Sequence, residues 1–186
     1  MDRTPETIPL ASGTKSTETA LDCGAFEQMY AEHAGALHAY LLRRCGNETD
    51  AQELVQDAFT EAWRTRAGFR GECAARTWLY AIAINLLRKR WSRKRPIILA
   101  ELPDMPTPES ALPLTVLQTE EGVAALRKAV EALPDDQRDA LELVRLEAMS
   151  YAEAAQTLGC TVNAVRMRLH KAMIALRCTL APGRED

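Results

Sequence analysis

MSYAEAAQTLGCTVNAVRMRLHKAM, residues 149–173, carries the grammar that decides the fold. Ser150 followed three residues later by Glu153 is a capping box and starts a helix. Gly159 stands just past Leu158, where a helix ends on a left-handed residue. Thr161 can then cap a second helix. On that helix Val162, Val165, Leu169, Ala172, Met173 and Leu176 share one side, and Val165 faces the small Ala155. Asn163, Arg166, His170 and Arg177 share the other side, with Met167, Arg168 and Lys171 on the flanks. A helix, a short glycine turn and a second helix make a helix-turn-helix, whose second helix can enter a DNA major groove. An ordinary helical hairpin with a wet basic face fits the caps equally well. However, no acidic residue lies between Thr161 and Cys178. A solvated helix normally mixes charge signs, so the one-sided face favours DNA.

Outward from this motif, the periodicity stays helical. EGVAALRKAVEALP and DDQRDALELVRLEA (residues 121–134 and 135–148) read as two more helices, the second opened by Asp135 and Asp136 at its positive end. Upstream, Pro96, Pro103, Pro106, Pro108 and Pro113 interrupt residues 94–118, which read as an extended linker. Before the linker, helices are expected from about Phe26 to Arg44, Asp50 to Thr65, and Thr77 to Arg93. The second of these is the most regular: Ala51, Leu54, Val55, Ala58, Phe59, Ala62 and Trp63 oppose Gln52, Glu53, Gln56, Asp57, Thr60 and Glu61. The fold class is therefore all-α. Two small helical domains, 23–93 and 119–180, are joined by a proline-rich linker, 94–118, and preceded by a disordered segment, 1–22. The C-terminal domain carries the helix-turn-helix.

The formal net charge of −3 conceals a strong pattern. Residues 64–95 hold ten Lys or Arg and one acid, Glu72, in a chain that is otherwise mostly acidic. In this block Leu79, Ile82, Ala83 and Leu86 form a core stripe. Trp78, Ala81, Asn85, Arg88, Lys89 and Ser92 lie on another face, after a loop bracketed by Gly68 and Gly71. Aromatic rings beside cations suit single-stranded nucleic acid, because bases stack on the rings while Lys and Arg follow the phosphates. Taken singly, Trp78, Tyr80 and Trp91 read better as core aromatics. Taken as a block, the segment reads as a nucleic-acid surface.

The first 22 residues have no apolar core of the kind a signal peptide needs, and no apolar run approaches membrane-spanning length. Five scattered cysteines without ligand spacing suit free thiols in a reducing cytoplasm better than disulfides or zinc. No nucleotide-binding, metalloprotease or serine-hydrolase motif is present, and His33, His38 and His170 are the only histidines. The reading is a non-enzymatic protein without cofactor or metal.

In order along the chain, DAQELVQDAFTEAWR (50–64), FRGECAARTWLYAIAINLLRKR (69–90) and LPDDQRDALELVRLEAMSYAEAAQTLGCTVNAVRMRLHKAMIALR (133–177) resemble the bacterial RNA polymerase sigma factors of the extracytoplasmic-function (ECF) group. The resemblance covers nearly all of residues 25–180. It implies a transcription initiation factor that binds core RNA polymerase, reads −10 and −35 promoter elements and helps to melt the −10 region. By this resemblance Asp50, Glu53, Gln56, Asp57 and Phe59 bind polymerase. Phe69, Arg70, Arg76, Trp78, Asn85, Arg88 and Lys89 contact the −10 element, and Asn163, Arg166, Met167, His170 and Lys171 the −35 element. It also implies control by a cognate anti-sigma factor. The protein would then be cytoplasmic, held at the inner face of the membrane if that factor is anchored there. A dimeric helix-turn-helix regulator acting without polymerase is the alternative. It accounts for residues 135–177 and leaves 64–95 unexplained.

Overall fold

The computed structural model describes residues 21–92 and 120–180. Most of the expected N-terminal segment and the whole expected linker lie outside the described residues. Every regular element described is helical. In the N-terminal half these are α1 (Cys23–Cys45), α2 (Glu48–Thr65), a 3-10 turn (Arg66–Gly68) and α3 (Ala75–Ser92). In the C-terminal half they are α4 (Glu120–Glu131), α5 (Asp135–Leu141), α6 (Tyr151–Leu158) and α7 (Val162–Leu180).

The helix boundaries follow their caps. The Asp22 carboxylate accepts from the Ala25 N–H at 2.7 Å, and Asn47 does the same for Asp50. Gly46, at φ 73°, turns the chain between α1 and α2. The capping box is formed at α6: Glu153 accepts from the Ser150 N–H at 2.8 Å, and Ser150 Oγ accepts from the Glu153 N–H at 3.2 Å. Gly159 closes that helix at φ 64°, and Thr161 caps α7 through the Ala164 N–H at 3.1 Å. The Ser150–Glu153 box, Gly159 and the Thr161 cap stand where the sequence placed them.

The stretch 135–148 departs from the regular helix expected there. It is α-helical only to Leu141, then widens into a π turn over Glu142–Leu146, where the Glu147 N–H donates to the Glu142 carbonyl. Asp139, Ala140, Leu141, Glu142 and Leu143 are all buried in succession. A run of five covers every side of a helix, so this segment is wedged between neighbours rather than lying on a surface.

Packing explains the wedge. One continuous core joins Leu37, Tyr40 and Leu41 of α1, Leu54 and Phe59 of α2, and Leu79, Tyr80 and Ile84 of α3 to Ala140, Leu143, Met149, Ala154, Leu158 and Val165 of the C-terminal half. A smaller cluster, including Leu133, Leu141, Leu169 and Leu176, ties α5 to α7. The two halves, expected from sequence as separate small domains, are thus closed on each other along α3 and α6. The expected stripe on α3 shifts accordingly. Leu79 and Ala83 are buried as expected, Ile82 and Leu86 are half-buried, and Tyr80, Ile84 and Leu87 are buried as well. Each large apolar side chain so covered contributes about 1.5–3 kcal/mol.

Candidate nucleic-acid interface

The polar side of α2 is open. Glu53, Gln56 and Asp57 are exposed, whereas Asp50 is half-buried. Arg90 of α3 bridges Asp50 at 2.6 Å and Glu53 at 2.7 Å. Phe59 differs from the expectation of direct partner contact. It is buried, its ring 4.6 Å from that of Tyr30 and 6.1 Å from that of Phe26. As the i+4 neighbour of Val55 on the apolar side, it holds α2 to α1 and supports the polar side from behind.

The loop after α2 turns through Gly71, at φ 67°. Arg70 projects into solvent, with Glu72 beside it at 4.0 Å. Phe69 and Trp78 are half-buried, their rings tilted against each other at 4.9 Å. Asn85, Arg88 and Lys89 are exposed along α3. Trp78, Asn85 and Lys89 therefore share an accessible edge, and Tyr80 belongs wholly to the core.

On α7, Asn163 and Arg166 are exposed, and Met167, His170 and Lys171 are half-buried. The Arg166 guanidinium lies 5.5 Å from the centre of the Tyr151 ring, which borders it from α6. Arg168 on the flank is turned inward: it pairs with Asp136 at 3.3 Å and donates to the Cys160 sulfur at 3.4 Å. The first half of α7 thus presents Asn163 and Arg166 outward while Val165 and Leu169 anchor the helix below.

Where the halves meet, two carboxylates of the C-terminal half enter the basic surface. Glu147 accepts from Arg43 of α1 at 2.6 Å, from Arg76 of α3 at 3.2 Å and from the Tyr80 hydroxyl at 2.7 Å. Asp139 pairs with Arg44 of α1 at 3.1 Å and accepts from Arg88 of α3 at 3.2 Å and from the Tyr40 hydroxyl at 3.3 Å; Arg44 also donates to Asp135 at 3.2 Å. Each carboxylate therefore bridges one arginine of α1 and one of α3, and each takes one tyrosine hydroxyl. Glu142, fully buried between them, accepts from Arg138 at 2.9 Å and pairs with Arg43 at 3.6 Å. Burial raises the Glu142 carboxyl above its ordinary value, against the pull of Arg44, Arg138 and Arg43. Burial, followed by the hydrogen bond to Glu147, raises the Tyr80 hydroxyl. Burial and the Asp139 charge do the same for Tyr40.

Sequence reasoning placed Arg76 and Arg88 in the interface but missed Arg43, Arg44, Asp139 and Glu147. A signal for Asp139 was present: a carboxylate directly before Ala140, Leu141 and Leu143, in the phase of a buried face. All five cysteines are free. Burial pushes the Cys45 thiol up to about 11, which keeps it protonated and unreactive at neutral pH. Among the described residues, no group of three or more His, Cys, Asp or Glu side chains is placed to hold a metal, and no helix is long and apolar enough to cross a membrane.

Residues 29–97 match the sigma-70 region 2 family, and residues 124–176 the sigma-70 region 4 family. The chain is 31% identical over 176 residues to the RNA polymerase sigma-H factor of Pseudomonas aeruginosa, covering 87% of this chain and 89% of that one. It is 32% identical over 159 residues to the ECF RNA polymerase sigma-E factor of Haemophilus influenzae, covering 77% of this chain and 82% of that one. Among solved structures, it resembles the sigma factor RpoE of Bartonella quintana, crystallised with the anti-sigma factor NepR. That match has a TM-score of 0.60 and 25% identity, and covers 86% of this chain and 98% of that one.

Proposed function

The chain belongs to the ECF group of RNA polymerase sigma factors, and from that premise we propose which of its surfaces performs each part of initiation. It binds core RNA polymerase, directs the enzyme to promoters through −10 and −35 elements, and is controlled by an anti-sigma factor. The observation that carries the assignment is the order of the two family matches on one chain, each containing a helix with an exposed basic edge.

The exposed polar side of α2, with Glu53, Gln56 and Asp57, is the docking surface for polymerase, and Phe59 sets its position from the core. The loop carrying Phe69 and Arg70, together with Trp78, Asn85 and Lys89 of α3, takes the opened −10 strand. Arg76 and Arg88 join that surface when Glu147 and Asp139 leave them. Unstacked bases need an aromatic face and backbone cations, which this edge supplies. Asn163 and Arg166 lead the −35 contact in the major groove, where an arginine can bind guanine with two hydrogen bonds. Met167, His170 and Lys171 flank them.

A linker of about 25 residues can stretch to about 85 Å. Promoter elements about 17 base pairs apart lie about 58 Å apart. The closed chain must therefore part its two halves before it can read both elements, and polymerase is the partner that holds them apart. The chain itself performs no covalent chemistry, and it works in the cytoplasm, where polymerase and promoter are.

Run-off transcription with core polymerase over a promoter library, with and without the protein, tests this reading. Transcripts dependent on the protein are expected. Sequence-specific duplex binding by the protein alone as a dimer, without such transcripts, would favour the simple regulator. Trp78→Ala with Asn85→Ala should keep the closed promoter complex but lose permanganate-reactive thymines near −10, and a pre-melted template should restore part of the activity. Normal melting by a well-folded double variant would refute the strand assignment.

A further inference from the structure

The carboxylates at the seam occupy positions that a nucleic acid would contest. We propose that Arg43 with Arg76, and Arg44 with Arg88, form two seats for phosphodiester groups of one DNA strand, occupied in the closed chain by Glu147 and Asp139. This rests on the reading of α3 as a strand-binding helix and adds α1, which neither the motifs nor the family resemblance brought into the DNA surface.

The geometry points to phosphate. A phosphodiester offers two non-bridging oxygens carrying one negative charge, the same pattern a carboxylate offers. Guanidinium groups match both through paired N–H donors. At each seat the two arginines come from different helices and split the two oxygens between them. Arg43 takes Oε1 and Arg76 takes Oε2 of Glu147, while Arg44 takes Oδ1 and Arg88 takes Oδ2 of Asp139. A tyrosine hydroxyl adds a third donor to each. Arg43 and Arg44 are adjacent on α1, while Arg76 and Arg88 stand twelve residues apart on α3, about 18 Å along its axis, so the two seats lie along one α1–α3 seam and would take phosphates a few nucleotides apart on a single strand.

A second observation is independent of the carboxylates. The Arg44 side chain is only 6% exposed, yet its Nε and Nη1 have no hydrogen-bond partner. Buried guanidinium donors are costly to leave unmade. Only its Nη2 is engaged, by Asp135 at 3.2 Å and Asp139 at 3.1 Å, so the closed state uses Arg44 incompletely, and a ligand whose acceptors also reach Nε and Nη1 would satisfy it better. A shallow cleft lined by Arg44, Leu87, Arg88, Asp135 and Asp139 already opens at this seat. Closure and strand binding use the same four arginines, so each excludes the other.

The test is fluorescence anisotropy of full-length protein with a short labelled oligothymidylate, titrated across a range of salt. Asp139→Asn with Glu147→Gln should bind the strand several-fold more tightly than the native chain, because the seats are vacated. Arg43→Ala with Arg44→Ala is then added in that background, where their pairs with Glu147 and Asp139 are already neutralised and the weaker pairs with Glu142 and Asp135 remain. The salt slope should fall by about 1.4, two phosphate contacts at about 0.7 each for a single strand. No gain from the first pair, or an unchanged slope from the second, overturns the proposal. Circular dichroism checks folding. If the neutralised variant does not fold, the native chain and Arg43→Ala with Arg44→Ala are compared as holoenzymes with core polymerase, which holds the halves apart. A lower slope there supports the seats and an unchanged one rejects them. Run-off transcription by the native chain is scored separately. Its failure would remove the sigma-factor reading, whereas transcription with unchanged slopes removes only the phosphate seats.

Discussion

Replacing Tyr80 with phenylalanine deletes one hydroxyl and leaves the ring packed in the core. That hydroxyl donates from α3 across the seam to Glu147 Oε2 at 2.7 Å, in a buried setting. A hydrogen bond to a charged acceptor is worth about 1.5–3 kcal/mol, against about 0.5–1.5 kcal/mol for a neutral one. Glu147 keeps Arg43 at 2.6 Å and Arg76 at 3.2 Å, so the carboxylate is not stranded, which places the loss at the low end, about 1.5 kcal/mol. At 1.4 kcal/mol per factor of ten, the ratio of closed to parted chains should fall about tenfold. The assay is urea unfolding of the native chain, Tyr80→Phe, Glu147→Gln and the double variant, read as a double-mutant cycle. A coupling of about 1 kcal/mol or more is expected, since the two groups touch. Coupling within about 0.3 kcal/mol of zero, with both single variants folded, would show that the seam does not depend on this contact.

Three further outcomes follow from other parts of the molecule. Ser150→Ala removes the capping box of α6 and should cost about 1 kcal/mol in thermal unfolding, with the Glu153 carboxyl, now held low by its hydrogen bonds to Ser150, rising toward its ordinary value; no loss of stability would mean that packing alone sets the helix start. Glu142 is raised by burial, so the packed chain binds a proton there more readily than the unfolded chain does. Its contribution is fully present below the ordinary carboxyl value and is lost as pH rises through the raised value; Glu142→Gln should remove that segment of the stability–pH profile, and an unaltered profile would refute the assignment. Arg166→Ala should weaken −35 binding by about 1–3 kcal/mol and relax selectivity at one or two positions, whereas a uniform loss of affinity would make Arg166 a phosphate contact instead.

Sequence alone revealed the devices that act over a few residues: the Ser150–Glu153 box, the left-handed Gly159, the Thr161 cap and the apolar face of α2. Each depends on neighbours three or four positions away. The seam was not legible in the same way. Arg43 and Glu147 are 104 residues apart, and Arg44 and Asp139 are 95 apart, so no local spacing announces their pairing. The helix pattern over 135–148 also concealed it, because the π turn at Glu142–Leu146 resets which residues share a face. Phe59 went astray for a related reason. The family resemblance named a residue on the polymerase-binding helix, while the apolar phase of α2 already placed it inside.

The chemistry of the seam bears on why it can open. Leu143, Met149 and Ala154 join the two halves through apolar contact that salt does not weaken. If that were the whole interface, the halves would part only at the full cost of re-exposing it. Around this core, the carboxylates of Asp139, Glu142 and Glu147 meet five arginines, yet Arg44 Nε and Nη1 and Glu142 Oε2 are left without a hydrogen bond. Removing such groups from water costs several kcal/mol per ion, and their mutual attraction recovers this only when every donor and acceptor is met. The closed state thus carries a desolvation cost that parting the halves relieves, since water or phosphate then completes the arginines. A leucine seam of equal area would hold more tightly and respond to nothing. An incompletely satisfied ionic rim lets a polyanion compete directly for the groups that keep the chain closed, and that competition should strengthen as salt is lowered.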